Sequence, residues 1–243
     1  MKEINDKTGF FGLVHARRSV RIFDQESPFD HELVQKCLEA SVLAPNSSNL
    51  QLWEFYRVPE SSPLKVKLAK LCMKQKAATT ARELVVIVAR RDLWKIRAKA
   101  NYDHIQERFK NAPTHKQKQA LSYFGSLIPK LYSKYPLWSF VKKTIAFLVG
   151  LQRPMVREVS ETDVRISVHK SVALAAMTFM YAMKAEGYDT CPMEGFDALR
   201  VKKLLQLPSG AEINMIIACG KGLPEGVYGD RFRIESEKVI FEK

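Results

Sequence analysis

The sequence predicts an α+β fold in which helices cover one central sheet. The first observation is a set of strand-like segments: residues 52–58 (LWEFYRV) are rich in aromatic residues, and residues 84–89 (LVVIVA) are continuously apolar. The second is that amphipathic helical segments precede, separate and follow these strands. The third is composition: 46% of the 243 residues are apolar and no break in composition divides the chain, so we expect one domain over residues 1–243.

The first long helix is predicted for residues 30–43. Apolar residues recur there at steps of three and four from Leu33 to Val42, and Pro45 ends the pattern. A second helical stretch, starting near Pro63, is expected between the two strand segments. Both helices would lie against the sheet, because their apolar residues need a surface on which to be buried.

Residues 101–165 are the least regular part of the chain and are basic and aromatic. Proline interrupts this region repeatedly, which predicts short helical pieces divided at Pro113, Pro129, Pro136 and Pro154. We expect a variable helical insertion that lies over the core.

Residues 167–185 predict a central, buried helix. The segment is apolar on most of its circumference, and Gly187 is a suitable residue just beyond a helix end. The remaining predicted elements are a short strand leading to Pro192, a helix over 197–205, a strand over 213–219 and a candidate last strand over 239–241.

The charge, the cysteines and the amino end of the chain limit the expected partners, metal content and location of the protein. The formal charge is +13 with a pI near 9.6, which favours anionic partners such as phosphate, nucleic acid or an acidic membrane surface. The four cysteines form no C-x-x-C pair and the five histidines form no ligand cluster, so we expect reduced thiols and no structural metal. The start has no apolar run of signal-peptide length, which predicts a cytoplasmic protein.

Residues 137–151 (LWSFVKKTIAFLVGL) are the longest membrane candidate. They fall short of the roughly 20 apolar residues that a spanning helix needs, and Lys142 and Lys143 interrupt them. One interpretation is a helix packed over the core or in a dimer interface. The other is a helix lying flat on an anionic membrane, with its aromatic residues beside the lysine pair.

A run of arginines near the amino end is the best candidate for binding an anion, since the chain has neither a P-loop motif nor a G-x-G-x-x-G motif that opens a helix. This N-terminal arginine cluster consists of Arg17, Arg18, Ser19 and Arg21. Planar guanidinium groups can hold a phosphate bidentately, and the Ser19 hydroxyl adds a donor. By itself such a run is also typical of a solvated basic face.

A C-terminal arginine pair lies near the other end of the chain. Arg231 and Arg233 flank Phe232, so an extended strand would point both guanidinium groups to one side. The pair and the N-terminal arginine cluster could bind one phosphate together. Ordinary surface charge on a terminal strand is the alternative for this pair.

Two connections carry polar groups suited to a flat heteroaromatic ligand. The polar loop, residues 46–51, follows the first helix and offers Asn46, Ser47, Ser48, Asn49 and Gln51. The PMEG turn follows a strand and consists of Pro192, Met193, Glu194 and Gly195. The glycine of this turn permits close approach of the backbone to a ligand. A plain helix-ending turn and a plain strand-to-helix turn are the alternatives.

In this order and spacing, the four segments resemble the nitroreductase family of FMN-dependent oxidoreductases. The matching motifs, R-R-S-V-R, A-P-N-S-S-N-x-Q-x-W, P-M-E-G-F-D and R-F-R, extend across nearly the whole chain. The resemblance implies a central mixed, mainly antiparallel sheet covered by helices and an intertwined homodimer with FMN at its interface. It implies little about residues 101–165, where family members vary most.

The resemblance also implies a role for each segment. The N-terminal arginine cluster and the C-terminal arginine pair would hold the FMN phosphate, ribityl chain and ring edge. The polar loop would reach the FMN of the partner subunit. The PMEG turn would pack over one face of the ring, with a backbone amide near Glu194 or Gly195 donating to the reactive ring nitrogen.

One departure from the family pattern precedes the strand over 84–89. Many members have Asn and Lys there, whereas this chain has Gln75 and Ala78, so we expect Gln75 to contact the cofactor and the nicotinamide preference to differ accordingly. His169 is a candidate for orienting the acceptor, together with its neighbours Arg165 and Lys170. A histidine at the start of a buried helix is, however, more often structural.

The implied activity is electron transfer from NADH or NADPH to a small organic acceptor, such as a nitroaromatic or a quinone, by a ping-pong mechanism in which FMN carries the chemistry. Dehalogenation of aromatic substrates and oxidation of peptide-derived rings are alternatives within the same family. The alternative of another class is a basic protein that binds nucleic acid or an anionic membrane without catalysis. We expect no nucleic acid, because the positive charges are spread along the chain and no nucleic-acid motif is present.

Overall fold

A four-stranded antiparallel sheet lies at the centre of the computed structural model, which describes residues 9–109 and 114–243. In spatial order, its strands are β1 (Trp53–Pro59), β2 (Glu83–Ala89), β4 (Glu212–Gly220) and β3 (Asp189–Met193). Among the described residues, the one parallel pairing is an isolated bridge between Ser19 and Thr190. The predicted α+β fold with a mainly antiparallel sheet is therefore confirmed.

Strand β2 lies inside the sheet and inside the core. Each of its seven residues is at most 2% exposed, as expected for a continuous apolar run with both faces covered. Its first residue, Glu83, is fully buried and has two hydrogen-bonding neighbours: the Arg57 Nε lies 2.7 Å and the His31 Nδ1 2.6 Å from its carboxylate oxygens. A buried carboxylate needs such partners to offset its desolvation.

Two helices cover one face of the sheet. They are α2 (His31–Ser41), whose N-cap is Asp30, and α9 (Glu161–Ala185). Helix α9 starts six residues earlier than predicted, because Ser160 and Asp163 form a capping box in which each side chain meets the other's backbone amide. Its Phe179 side chain is fully buried against the sheet.

Shorter helices cover the other face. They are α3 (Lys65–Leu71), α4 (Lys76–Thr80) and α10 (Ala198–Leu204). Alternate β2 residues divide between the two layers: Val85 packs with the α9 layer, and Leu84 packs with the α3 layer. The four cysteines are buried and unpaired, and burial raises the pKa of Cys37 and Cys72 to about 11.

The insertion between β2 and α9 is helical, as predicted. Its helices are α5 (Trp94–Arg108), α6 (His115–Ser122), α7 (Ile128–Tyr132) and α8 (Trp138–Gly150). The prediction that Pro129 separates two helices is wrong: a π-helical segment, Tyr123–Leu127, joins α6 to α7, and Pro129 lies in the first turn of α7. A π-helical segment and a first-turn position both tolerate a residue that cannot donate a backbone hydrogen bond. Pro113 lies outside the described residues.

The two chain ends pack beside α9 and the arginine segments. Helix α1 (Gly9–Ala16) contacts α9 through Phe10 and Tyr181, whose ring centroids are 5.3 Å apart. The candidate last strand over 239–241 does not form: these residues are exposed after a 3₁₀ turn, Ser236–Lys238, and pair with none of the four strands described above. Among the described helices, α9 alone is long and apolar enough to span a membrane, and its packing against the sheet makes it a core helix.

Candidate cofactor site

The N-terminal arginine cluster and the C-terminal arginine pair line one cavity of about 180 Å³. Backbone pairing positions the cluster: Ser19 bridges Thr190 at the edge strand β3, and the Val20 amide donates to the Thr190 carbonyl at 3.2 Å. The C-terminal pair is fixed to the cluster by Arg231, whose guanidinium donates to the Arg17 carbonyl at 2.6 Å. Two segments that are far apart in sequence therefore form one basic cavity.

The charge of this cavity is uncompensated. Five arginines line it, whereas Asp230 is the one acidic residue in the lining. Burial lowers the pKa of Arg231, and repulsion from Arg18, Arg233 and Arg17 lowers it further. The Arg17 Nε is buried without a hydrogen-bond partner among the described residues. Like charges and an unpaired donor in one cavity fit a multiply charged anion such as a phosphate monoester.

Sequence reasoning missed part of the lining that precedes the C-terminal pair. The Arg21 guanidinium lies over the Tyr228 ring, 5.0 Å from its centroid, which orients this arginine. The Gly229 carbonyl accepts a hydrogen bond of 2.8 Å from the Arg18 Nη2, and Gly229 has a φ of +77°. The sequence feature that could have predicted this part of the lining is G-V-Y-G-D, residues 226–230, just before Arg231. Its second glycine favours a left-handed backbone, which turns the chain back towards the N-terminal arginine cluster.

The PMEG turn lies at the C-terminal end of β3, the strand that Ser19 of the N-terminal arginine cluster bridges near its start. Met193 is buried and pairs with β4, whereas Glu194 and Gly195 are exposed. Among the hydrogen bonds of the described turns and loops, none uses the amide of Glu194 or Gly195 as donor. Thr190 and Glu194 are about 13 Å apart along the strand. A ligand whose phosphate lies in the arginine cavity could therefore extend along β3 towards the amides of Glu194 and Gly195.

Gln75 lies beside the PMEG turn, as its proposed cofactor role requires. Its Nε2 donates to the Gly195 carbonyl at 2.8 Å and to the Cys72 carbonyl at 3.0 Å. A Cβ atom on residue 195 would approach the same Nε2 to 3.2 Å. Gln75 therefore supports the turn, and direct contact with a cofactor stays a prediction.

The polar loop has a strained backbone. Ser48, Asn49 and Gln51 have φ values of 56°, 49° and 49°, in the left-handed region that non-glycine residues seldom adopt. Strain of this kind persists only where surrounding contacts over-determine the backbone, and it is concentrated at functional sites. Within the loop, the Asn46 side chain accepts from the Gln51 amide at 2.8 Å.

Contacts with α9 and the insertion hold the polar loop in place. The Ser47 amide donates to the Ser171 hydroxyl at 3.0 Å, and the Asn49 and Asn101 side chains are 2.8 Å apart. The loop is absent from the lining of the arginine cavity of the same chain. The structure thus brings together the two arginine segments, and it places the PMEG turn at the far end of the strand that Ser19 bridges. The polar loop belongs to neither of these two places.

His169 lies in the first half of α9 and faces the start of β4, and both of its ring nitrogens have partners. The Nε2 is 3.2 Å from the Glu212 carboxylate, and the Nδ1 is 3.0 Å from the Asn214 side-chain nitrogen. Burial raises the pKa of Glu212, but hydrogen bonds from Arg165 and His169 outweigh it and lower the pKa overall. These contacts favour the structural alternative, and a catalytic role for His169 stays a prediction.

Together, a helix-covered antiparallel sheet, an arginine cavity at its edge and an exposed turn at the end of the edge strand define an α+β protein whose basic cavity is suited to a phosphate-bearing ligand. The family model described as "Nitroreductase family" matches residues 14–221. The chain belongs to the nitroreductase family.

Similar proteins agree with this assignment. Protein DrgA of Synechocystis is 29% identical over 211 residues, which cover 87% of this chain and 83% of that protein. The Bacillus subtilis protein named "Putative NAD(P)H nitroreductase MhqN" is 26% identical over 87% of this chain and 88% of its own length. Among solved structures, the B. subtilis nitroreductase-type protein ydfN has a TM-score of 0.74 at 23% identity and covers 96% of this chain and 98% of its own, which shows the shared fold.

Proposed function

We propose that this protein is an FMN-dependent oxidoreductase that transfers electrons from NADH or NADPH to a small organic acceptor such as a nitroaromatic or a quinone. The observation that supports the proposal most strongly is that the two arginine segments line one cavity beside the start of β3. At the other end of β3, the amides of Glu194 and Gly195 donate to no acceptor among the described turns and loops. Related names support it: one relative is named as an NAD(P)H nitroreductase, and a neighbouring structure from Exiguobacterium sibiricum, with a TM-score of 0.66, is described as a complex with FMN.

The phosphate of FMN fits the arginine cavity. Arg17, Arg18 and Arg21, with the Ser19 hydroxyl, would donate to the phosphate oxygens and the ribityl chain from one side, and the C-terminal arginine pair would close the other. A dianion there would relieve the mutual repulsion of the guanidinium groups and give the Arg17 Nε an acceptor.

The flat part of the cofactor fits the PMEG turn. Pro192, Met193 and Gly195 would form an even backbone surface, and the amide of Glu194 or Gly195 would donate to a ring nitrogen. Bound there, FMN would supply two-electron transfer from the nicotinamide and then to the acceptor, in alternating half-reactions. The fixed positive charge and backbone donors would stabilise negative charge that develops at the ring edge. No side chain of this site has to act as a nucleophile.

A homodimer completes the site in this proposal. The polar loop is strained and polar but lies apart from the arginine cavity of its own chain, so it would serve the site of a partner subunit. Large apolar side chains on α1, α9 and the tail are exposed and available for such an interface: Phe10, Phe11, Ile166, Leu174, Ile234, Ile240 and Phe241. The tail residues 239–241 could then pair with a strand of the partner. We also propose a cytoplasmic location.

The decisive experiment is the flavin spectrum of the purified protein. We expect a yellow protein with one FMN per chain, and loss of that FMN in the double variant Arg17→Ala/Arg231→Ala. The matched control is Arg200→Ala, which removes an exposed arginine of α10 whose ion pair, within residues 9–109 and 114–243, is with Asp197. A colourless protein that does not take up added FMN would overturn the proposal.

The acceptor is identified by turnover. After anaerobic reduction by NADH or NADPH, quinones, nitroarenes and halophenols are added and the return of the oxidised flavin spectrum is timed. We expect the quinones and nitroarenes to react faster than the halophenols. Faster reaction with halophenols, with release of halide, would instead assign the protein to the dehalogenating alternative.

A further inference from the structure

Helix α8 turns mostly apolar side chains towards solvent. Its outward side chains are mostly apolar: Phe140 is 70%, Phe147 56% and Leu148 56% exposed, and Val141, Ile145 and Leu151 are exposed as well. A helix on a water-facing surface normally places such residues inward and polar residues outward. The outward face of α8 is therefore suited to a partner that is itself apolar.

Polar side chains hold α8 to the rest of the protein. Lys142 is only 9% exposed, and its Nζ donates to the Leu131 carbonyl at 2.7 Å. Burial lowers the pKa of this lysine. The Ser139 hydroxyl accepts from the Glu161 amide at 3.2 Å, and the Trp138 Nε1 donates to the Lys130 carbonyl at 2.8 Å. These contacts fix the orientation in which the apolar side chains point outward.

The chain around α8 carries a marked excess of positive charge. Residues 108–157 contain ten lysines and arginines and no aspartate or glutamate, although the whole chain has 26 acidic residues. Four basic residues near α8 are exposed: Lys134, Lys143, Arg153 and Arg157. The first acidic residue after this segment in the sequence is Glu158. An apolar face framed by positive charge is complementary to an anionic lipid surface, where apolar burial and electrostatic attraction act together.

An apolar pocket of about 160 Å³ opens beside the same face. Its apolar lining is formed by Leu127, Leu131, Trp138, Ile145, Met155 and Val159. Lys130 also lines this pocket and is exposed, at a position where it could meet a lipid phosphate. With 13 residues, α8 is about 20 Å long, too short to span a bilayer but long enough to lie along its surface.

We propose that the outward face of α8, with the exposed lysines and arginines around it, docks this protein on an anionic membrane surface. Phe140, Phe147 and Leu148 enter the boundary between headgroups and acyl chains, and Lys143 and Arg153 contact lipid phosphates. The proposal requires no particular chemistry at the arginine cavity. A negative result for membrane docking would therefore leave the proposed oxidoreductase function unaffected, and the reverse also holds.

The test is flotation of the full chain with vesicles of phosphatidylcholine, alone or with about one third phosphatidylglycerol. We expect the protein to float with the anionic vesicles and to remain at the bottom with the neutral ones. Phe140→Ser/Phe147→Ser should reduce flotation at least tenfold, and Lys143→Glu/Arg153→Glu should reduce it as well. Lys142 is left unchanged in all variants, because its ammonium group holds the helix.

The matched control is Val66→Ser/Leu199→Ser, which removes two exposed apolar side chains from α3 and α10. Equal thermal midpoints establish that each variant is folded. Wild-type protein that ignores anionic vesicles, or equal flotation of the Phe140→Ser/Phe147→Ser variant and the control, would overturn the proposal. A change of the Phe140→Ser/Phe147→Ser variant to a smaller oligomer would also overturn it, because α8 would then be covered by a second copy.

Discussion

The Arg231 guanidinium donates to the backbone carbonyl of Arg17 at 2.6 Å and joins two residues that are 214 positions apart in sequence. The same Nη2 donates to the His15 carbonyl at 2.9 Å. Together with the Arg18 Nη2, which donates to the Gly229 carbonyl, this side chain fixes the C-terminal arginine pair beside the N-terminal arginine cluster. The arginine cavity depends on such side-chain contacts, because residues 231–233 belong to no strand in the described part of the chain.

The cavity should bind inorganic phosphate when no cofactor is bound. We expect the thermal midpoint of the flavin-free protein to rise by about 3 to 6 °C at a phosphate concentration about ten times its Kd. Arg231→Ala should abolish most of this rise, whereas Arg200→Ala should retain it. Sodium chloride at equal ionic strength separates binding from screening. An equal rise in phosphate and in chloride would contradict a specific anion site.

Mixed dimers can test whether the polar loop serves the partner subunit. One chain carries Arg17→Ala/Arg231→Ala, and the other carries Asn46→Ala/Gln51→Ala. If the loop acts across the interface, one of the two sites in a mixed dimer combines an intact arginine cavity with an intact loop, so each mixed dimer should regain about half of the wild-type activity per dimer. If the loop acts within its own chain, both sites remain defective and mixing restores nothing.

The arginine segments and the PMEG turn were predictable because their chemistry is local and ordered along the chain. The buried strand β2 was equally clear, since LVVIVA is apolar without interruption, as is typical of a strand with both faces covered. The start of α9 was missed because the prediction followed apolar periodicity, whereas Ser160 and Asp163 begin the helix by capping it.

Helix α8 shows what sequence alone could not settle. Lys142 and Lys143 look equivalent in the sequence, but one is buried on the Leu131 carbonyl and the other is exposed. That difference follows from where α7 lies, which is a long-range property of the fold. Likewise, the partners of the His169 ring come from β4 and are not visible in the local pattern around the histidine.

The ion pair between Glu60 and Arg82 should give the protein a defined response to acid. The Arg82 Nε lies 2.5 Å from the Glu60 carboxylate, and this hydrogen bond lowers the pKa of Glu60 from its ordinary 4.5. Its contribution to stability is therefore complete above about pH 4.5 and is lost as the pH falls through the lower, folded-state pKa. Because the Glu60 side chain is 40% exposed, we expect at most about 1 kcal/mol.

The corresponding experiment compares wild type with Glu60→Gln, which keeps the shape and removes the charge. Urea unfolding at pH 7 should show the variant to be less stable, and the difference should shrink in acid as the pH falls through the lowered pKa of Glu60. A difference that is unchanged between pH 7 and acid would show that the charge contributes nothing.

His169 provides the sharpest separation between a structural and an acceptor-orienting role. Its ring is held by Glu212 and Asn214, so His169→Ala removes one hydrogen-bond partner from each of two part-buried polar groups. We expect a loss of about 1 to 3 kcal/mol in the free energy of unfolding, with FMN content and kcat for quinone reduction both within twofold of wild type. Thr162→Ala, at an exposed position on the same helix, is the control for stability. The opposite pattern, unchanged stability with a kcat reduced at least tenfold, would place the imidazole at the acceptor, because only a group that meets the reacting molecule changes turnover without changing the fold.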